Sequence, residues 1–142
     1  MRFILIFLIF ICFACDHSTP PLAEDEQESP FSIGFGKSTT VKSLDLKIGF
    51  QDVLADSRCP TDAMCKWEGR ADIRLWLLPS NSDTVFIQSS IFGFIDRDDS
   101  TRHLAIDTIG FRIKLLQLDP YPISELLIQK DAYIALLEIS RL

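Results

Sequence analysis

From Phe31 onward the apolar residues of this chain fall two apart. Leu44, Leu46, Ile48 and Phe50 do so, as do Ala71, Ile73, Leu75 and Leu77. The habit continues through Val85 and Ile87, Leu104 and Ile106, Phe111, Ile113 and Leu115, and finally Tyr133, Ala135, Leu137 and Ile139. A repeat of two sends alternate side chains to opposite faces of an extended strand, one face buried and the other wet. Lys47, Arg74, Arg112 and Lys114 occupy the wet positions. Turn formers separate the runs at Gly36-Lys37-Ser38, Pro79 to Asp83, Asp96 to Ser100 and Asp119-Pro120-Tyr121-Pro122. Short strands punctuated in this way predict an all-β domain over residues 31–142, an antiparallel β-sandwich of about seven or eight strands. Ser124 to Gln129 reads as a short helical turn. Leu75-Trp76-Leu77-Leu78 and Leu115-Leu116 are apolar on both faces, which predicts central strands, with a partner-facing surface as the alternative.

The first 30 residues do not share this pattern. Met1-Arg2 is a short basic start and Phe3 to Phe13 an unbroken apolar run. Eleven helical residues rise about 16 Å, roughly half of a hydrocarbon core, so the run is too short for a permanent span. It has the form of the apolar part of a secretory signal peptide, predicted over residues 1–14 and removed from the mature chain. The run ends in Cys12-Phe13-Ala14-Cys15. A small residue before a cysteine resembles the lipobox of bacterial lipoproteins, although Cys12 and Phe13 stand where Leu and Ala or Ser are commoner. The resemblance implies cleavage before Cys15 and lipidation of Cys15, which becomes the mature N-terminus. An ordinary cleavage site with an incidental cysteine is the alternative. Acyl chains contribute about 0.8 kcal/mol per buried methylene, so two or three anchor a protein for good. Residues 15–30, rich in Pro, Ser and acid without apolar periodicity, read as a disordered tether. Its acidic run also has the form of a sorting signal for surface export.

Charge and cysteines narrow the partners. The formal net charge is −6, and loss of Arg2 with the signal segment takes it to about −7. Phosphates would be repelled, so a nucleic-acid partner is not expected. A polybasic membrane-binding face is missing too, leaving the lipid as the only membrane contact. With Cys12 discarded and Cys15 lipidated, Cys59 and Cys65 remain, and in an exported domain they predict one disulfide.

The segment around those cysteines is the most distinctive in the chain: Asp56-Ser57-Arg58-Cys59-Pro60, then Cys65-Lys66-Trp67-Glu68-Gly69-Arg70. It resembles a group of small bacterial lipoproteins and secreted proteins with Asp-Ser-Arg-Cys-Pro, a second cysteine, and Trp-x-Gly before a strand. Pro120-Tyr121-Pro122 and Asp131-Ala132-Tyr133 match that group's later Pro-Tyr-Pro turn and last strand. The resemblance covers most of the chain from about Phe31 and implies topology and export, since no activity is established for the group. Read structurally, a strand ends near Ala55, Asp56 or Ser57 bonds to the turning backbone, and the disulfide closes the excursion. Trp67 would cover the disulfide or the core edge, and Gly69 would allow close packing as a strand starts at Arg70. In the alternative reading, Arg58, Asp62, Lys66 and Trp67 form a recognition surface on a stapled loop.

Constellations for catalysis are missing. His17 falls in the tether and His103 reads as a surface strand residue, too few with the paired cysteines for a zinc site. No nucleophile-elbow sequence or Gly-rich phosphate loop occurs, and Cys-x5-Cys lacks the redox spacing. Asp96, Asp98 and Asp99 crowd one turn but lack the order of a calcium loop, and solvated acids keep ordinary acidity. No catalytic residue, metal ligand or cofactor is therefore predicted. The sequence points to a non-enzymatic lipoprotein of the bacterial cell envelope, expected at the outer membrane. It would bind an envelope or exported protein. A structural envelope lipoprotein and a carboxylate-dependent glycan hydrolase are the alternatives.

Overall fold

The computed structural model describes residues 29–96, 98, 99 and 102–142. The predicted signal segment, Cys15 and the tether up to residue 28 lie outside the described residues. Eight strands follow in order: β1 (Phe31–Gly34), β2 (Ser38–Val41), β3 (Leu46–Asp56), β4 (Arg70–Pro79), β5 (Val85–Phe92), β6 (Ala105–Thr108), β7 (Phe111–Asp119) and β8 (Ile134–Arg141). They form two four-stranded antiparallel sheets, β1-β8-β7-β6 and β2-β3-β4-β5, face to face as a sandwich.

The period-two positions are what the two sheets bury. Ile48 and Phe50 of β3, Ile73, Leu75 and Leu77 of β4, Ile113 and Leu115 of β7, and Ala135, Leu137 and Ile139 of β8 have no solvent exposure. A fully buried aliphatic or aromatic side chain contributes about 1.5–3 kcal/mol, set against the entropy of ordering each residue. Phe35 closes one side by meeting the Phe50 ring edge-on at 5.8 Å. The Leu104–Ile106 pair departs from the pattern: Leu104 precedes β6 and is exposed, and Ile106 is half-buried, because β6 is a short edge strand.

The doubly apolar stretches resolve differently. Leu115-Leu116 lies at a β-bulge, where the register against β8 shifts between Leu115 and Gln117. The extra residue switches the phase of the strand, so Leu115 and Leu118 both reach the core. Leu75 to Leu78 do lie in a central strand, between β3 and β4's other neighbour β5, yet their outer face stays partly open. There the Trp76 ring lies over Gly49, where any Cβ would stand 2.2 Å from the indole. The predicted helical turn at Ser124 to Gln129 is a simple turn at Ser124-Glu125, and a 3₁₀ turn follows at Lys130–Ala132.

The antiparallel order sorts the connections to two ends. At one end β6 and β7 are joined by Ile109-Gly110 alone, and β4 reaches β5 through the short turn after Pro79. At the other end lie three long loops, 57–69, 93–104 and 120–133.

Candidate functional site

The three long loops converge on Arg58. β3 ends at Asp56, and two residues later the chain turns Arg58 inward. Asp56 Oδ1 accepts from Arg58 Nε at 2.9 Å and Oδ2 from Nη2 at 2.7 Å, a two-pronged ion pair. Its other bonds reach across to the end of β7 and the loop after it: Nη1 to the Leu118 carbonyl at 2.7 Å and Nη2 to the Pro120 carbonyl at 3.2 Å. The guanidinium lies 4.7 Å from the centroid of the Tyr121 ring, and Tyr133 donates its hydroxyl to Asp56 Oδ2 at 3.0 Å. Burial first, and the anionic neighbour Asp56 second, push the Tyr133 hydroxyl up to about 12.

Loop 57–69 is sewn to the others around this pair. Cys59 and Cys65 are disulfide-bonded. Ser57 donates its hydroxyl to the Arg70 carbonyl at 2.9 Å, and the Cys59 amide donates to the Glu68 carbonyl at 2.9 Å. Gly69 has a φ of +67°, and a Cβ there would fall 1.9 Å from the Ser57 carbonyl oxygen, so the close return of the loop onto itself needs glycine. The Thr61 amide donates to the Pro122 carbonyl and the Ser124 amide to Asp62 Oδ1 at 2.7 Å, which holds the Asp62 carboxyl below its usual range. Loop 93–104 joins through Gly93 to Gly69 and through an ion pair of Arg102 with Glu68 at 2.6 Å. Phe94 sits at a φ of +56°, its amide donating to the Tyr121 hydroxyl and its ring stacked on Tyr121 at 6.0 Å. A phenylalanine in the left-handed region is held there by its surroundings.

Of the four residues suggested as a recognition surface, the fold separates one from the rest. Arg58 is 4% exposed and faces inward, so it anchors the loops instead of presenting itself to a partner. Asp62 is exposed while bonded to Ser124. Lys66 and Trp67 are exposed together, with the ammonium 4.9 Å from the Trp67 ring centroid. Trp67 does not cover the disulfide as the structural reading expected; it is 72% exposed. His103 is corrected as well. It is no surface strand residue but a buried loop residue, Nδ1 3.0 Å from the Leu115 carbonyl oxygen and Nε2 3.2 Å from that of Asp96. The loop turns it under because β6 is too short to cover β7 at Leu115.

What loop spacing could not reveal is how much apolar surface these loops expose. Met64, Trp67, Phe94, Ile123, Leu126 and Leu127 all stand out from them, Leu127 at 82%. With Leu104, seven of the thirteen exposed large apolar residues among the described residues belong to these three loops, which marks this end apart from the rest of the described surface. Between the loops and the sheets lie two grooves of about 520 and 390 Å³, which share Asp98 and Leu116. Among the described residues no group of three or more His, Cys, Asp or Glu is placed to hold a metal ion. Asp96 Oδ1 accepts from the Asp98 amide at 3.1 Å, an ordinary turn contact. Compared with known proteins, the chain matches no family model, no curated protein and no solved structure.

Proposed function

We propose that this chain is a lipid-anchored, non-catalytic interaction module of the bacterial cell envelope, and that it meets its protein partner through the long-loop end. The lipobox-like Cys15 and the tether supply the anchor and the reach. The observation that carries the reading is the concentration of exposed apolar side chains on loops that are otherwise tightly fastened. Loops with no role at their tips have no need of a disulfide, a buried ion pair and a strained Phe94 to hold Trp67, Leu126 and Leu127 toward water. Fixing such side chains in advance removes ordering entropy from the association, and a few anchors near the centre of a face, tryptophan prominent among them, carry most of its energy.

The test is crosslinking capture from living cells with the full lipidated protein beside a Trp67→Ser, Leu127→Ser variant. Both positions are exposed, so the variant should melt within a few degrees of the parent. A reproducible partner, identified by mass and lost in the variant, is the expected result. The same partner recovered equally with the variant would move the interaction face elsewhere, and no enriched partner under either condition would end the proposal.

A further inference from the structure

β7 is only half covered. β6 pairs with Phe111 to Lys114, and from Leu115 to Asp119 β7 has no hydrogen-bonded strand on that side among the described residues, although β5 comes near it without pairing. The cause is the path of the chain, which leaves β5 at Phe92 and spends residues 93–104 crossing before β6 begins. A groove of about 390 Å³ follows the uncovered half of β7. Ile91, Leu116 and Leu118 form its buried floor, with half-buried Ile95, exposed Asp96 and half-buried Asp119 around them. We infer that this groove is the docking site for an extended protein segment that carries lysine or arginine next to an apolar residue. The inference rests on reading the long-loop end as an interaction face.

Two observations choose this occupant. An uncovered strand invites a partner to add a strand by main-chain hydrogen bonding. Here the carbonyls of Leu115 and Leu118 are already met by His103 and Arg58, so recognition falls to side chains. The second is charge. Arg58 is the one basic side chain lining the groove among the described residues, and the Asp56 carboxylate meets it in two bonds. Loops 57–69, 93–104 and 120–133 carry seven acidic and five basic residues, and two of those bases, Arg58 and Lys130, are answered by strand carboxylates Asp56 and Asp52. Among the described residues the groove itself is lined by Asp96, Asp98 and Asp119 beside an Arg58 that Asp56 already meets, so its field is anionic. Lysine and arginine lay an apolar stem on a surface and carry the charge at its tip, which suits a floor of Ile and Leu beside Asp96 and Asp119. The same field repels an anionic lipid surface and a second copy presenting this end.

The test is fluorescence anisotropy of labelled six-residue peptides against the full chain at low salt. One peptide alternates leucine and lysine, the other leucine and glutamate. The lysine peptide should bind at least tenfold more tightly. An Asp96→Asn, Asp119→Asn variant should weaken it about tenfold, and Ile95→Lys, which places a cation in the groove, should abolish it. Asparagine keeps the shape of aspartate, and thermal melting checks that each variant is folded. Equal binding of the two peptides, no binding of either, or indifference to the groove variants would overturn the inference. Loss of binding in Trp67→Ser, Leu127→Ser with indifference to the groove variants would overturn the groove alone and leave the interaction face standing.

Discussion

The two ends of the sandwich are closed by different means. At the short-turn end, the backbone closes the connections itself. Thr108 pairs with Phe111 across Ile109-Gly110, whose φ values of +43° and +83° are those of the mirror-image hairpin turn matched to strand twist. Leu142 bonds back to Gly110, and Arg141 donates to the Leu44 carbonyl at 3.1 Å. At the long-loop end, side chains and a covalent bond replace that economy: an inward ion pair, a disulfide, a stacked aromatic pair and carboxylates accepting from backbone amides. The difference teaches that the long loops are fixed in place deliberately. Short connections would have closed β3 to β4 and β7 to β8, which are hydrogen-bonded neighbours, as the opposite end shows for β4 to β5 and β6 to β7.

Removing the anchor is the strongest way to break the contrast. Arg58→Ala leaves Asp56 buried without its cation, its side chain 8% exposed and its remaining side-chain partner among the described residues the Tyr133 hydroxyl. The expected cost is about 3–5 kcal/mol, read as a fall in denaturant midpoint. A cost under 1 kcal/mol would show that the loops are held by something else. Next in size is the disulfide. Changing Cys59 and Cys65 together to alanine frees a short loop, and chain entropy sets the loss at about 2 kcal/mol. Amide exchange should rise in residues 57–69 and leave β6–β7 unchanged; a rise shared by both ends would mean that the ends are not independent.

How much of this was legible in the sequence follows from the range of each interaction. The strands were legible because period two is a local signal and one buried face enforces it, as at Ile48-Phe50 or Ile113-Leu115. The disulfide was legible by subtraction of cysteines. The bulge at Leu115-Leu116 was not, since two adjacent leucines read equally well as a buried strand or an open face until the partner register is known. Ile109-Gly110 was missed because a β-branched residue stands where asparagine or aspartate would have announced the turn. The role of Arg58 was missed for a different reason. Its acceptors Leu118 and Pro120 lie 60 and 62 residues away, and sequence alone made an arginine on a loop look like surface. His103 was misplaced likewise, because alternation gave it a strand position that β6 stops short of.

The short-turn end offers a sharper test in the opposite direction. Ile109 holds a β-branched side chain at a φ of +43°, and a left-handed conformation costs such a residue about 1–2 kcal/mol. Ile109 is exposed, so replacing it sacrifices little burial. Ile109→Asn should therefore raise stability by about 1 kcal/mol in equilibrium unfolding. The matching change of Phe94, also left-handed, should give less or nothing, since Phe94→Asn also gives up the stacking on Tyr121. Equal gains at both would remove the claim that strain at the long-loop end is held by specific contacts.

The smallest expected effect bears on how the anchor responds to pH. Tyr133 is pushed up to about 12 from an ordinary value of 10, first by burial and then by Asp56. The folded chain keeps the phenol proton where the unfolded chain releases it, so between about pH 10 and 12 the unfolded state binds fewer protons and stability falls as pH rises. The contribution is complete below pH 10 and lost through 12. Tyr133→Phe deletes the titration together with one hydrogen bond to a carboxylate that Arg58 still holds, at a cost of about 1 kcal/mol near pH 7. The variant should therefore lie below the parent at neutral pH, and the parent should fall to meet it between about pH 10 and 12 and drop below it beyond, as both are followed in denaturant. Parallel curves across that range would mean that the buried phenol releases its proton as readily folded as unfolded, and that Asp56 leans on Arg58 alone.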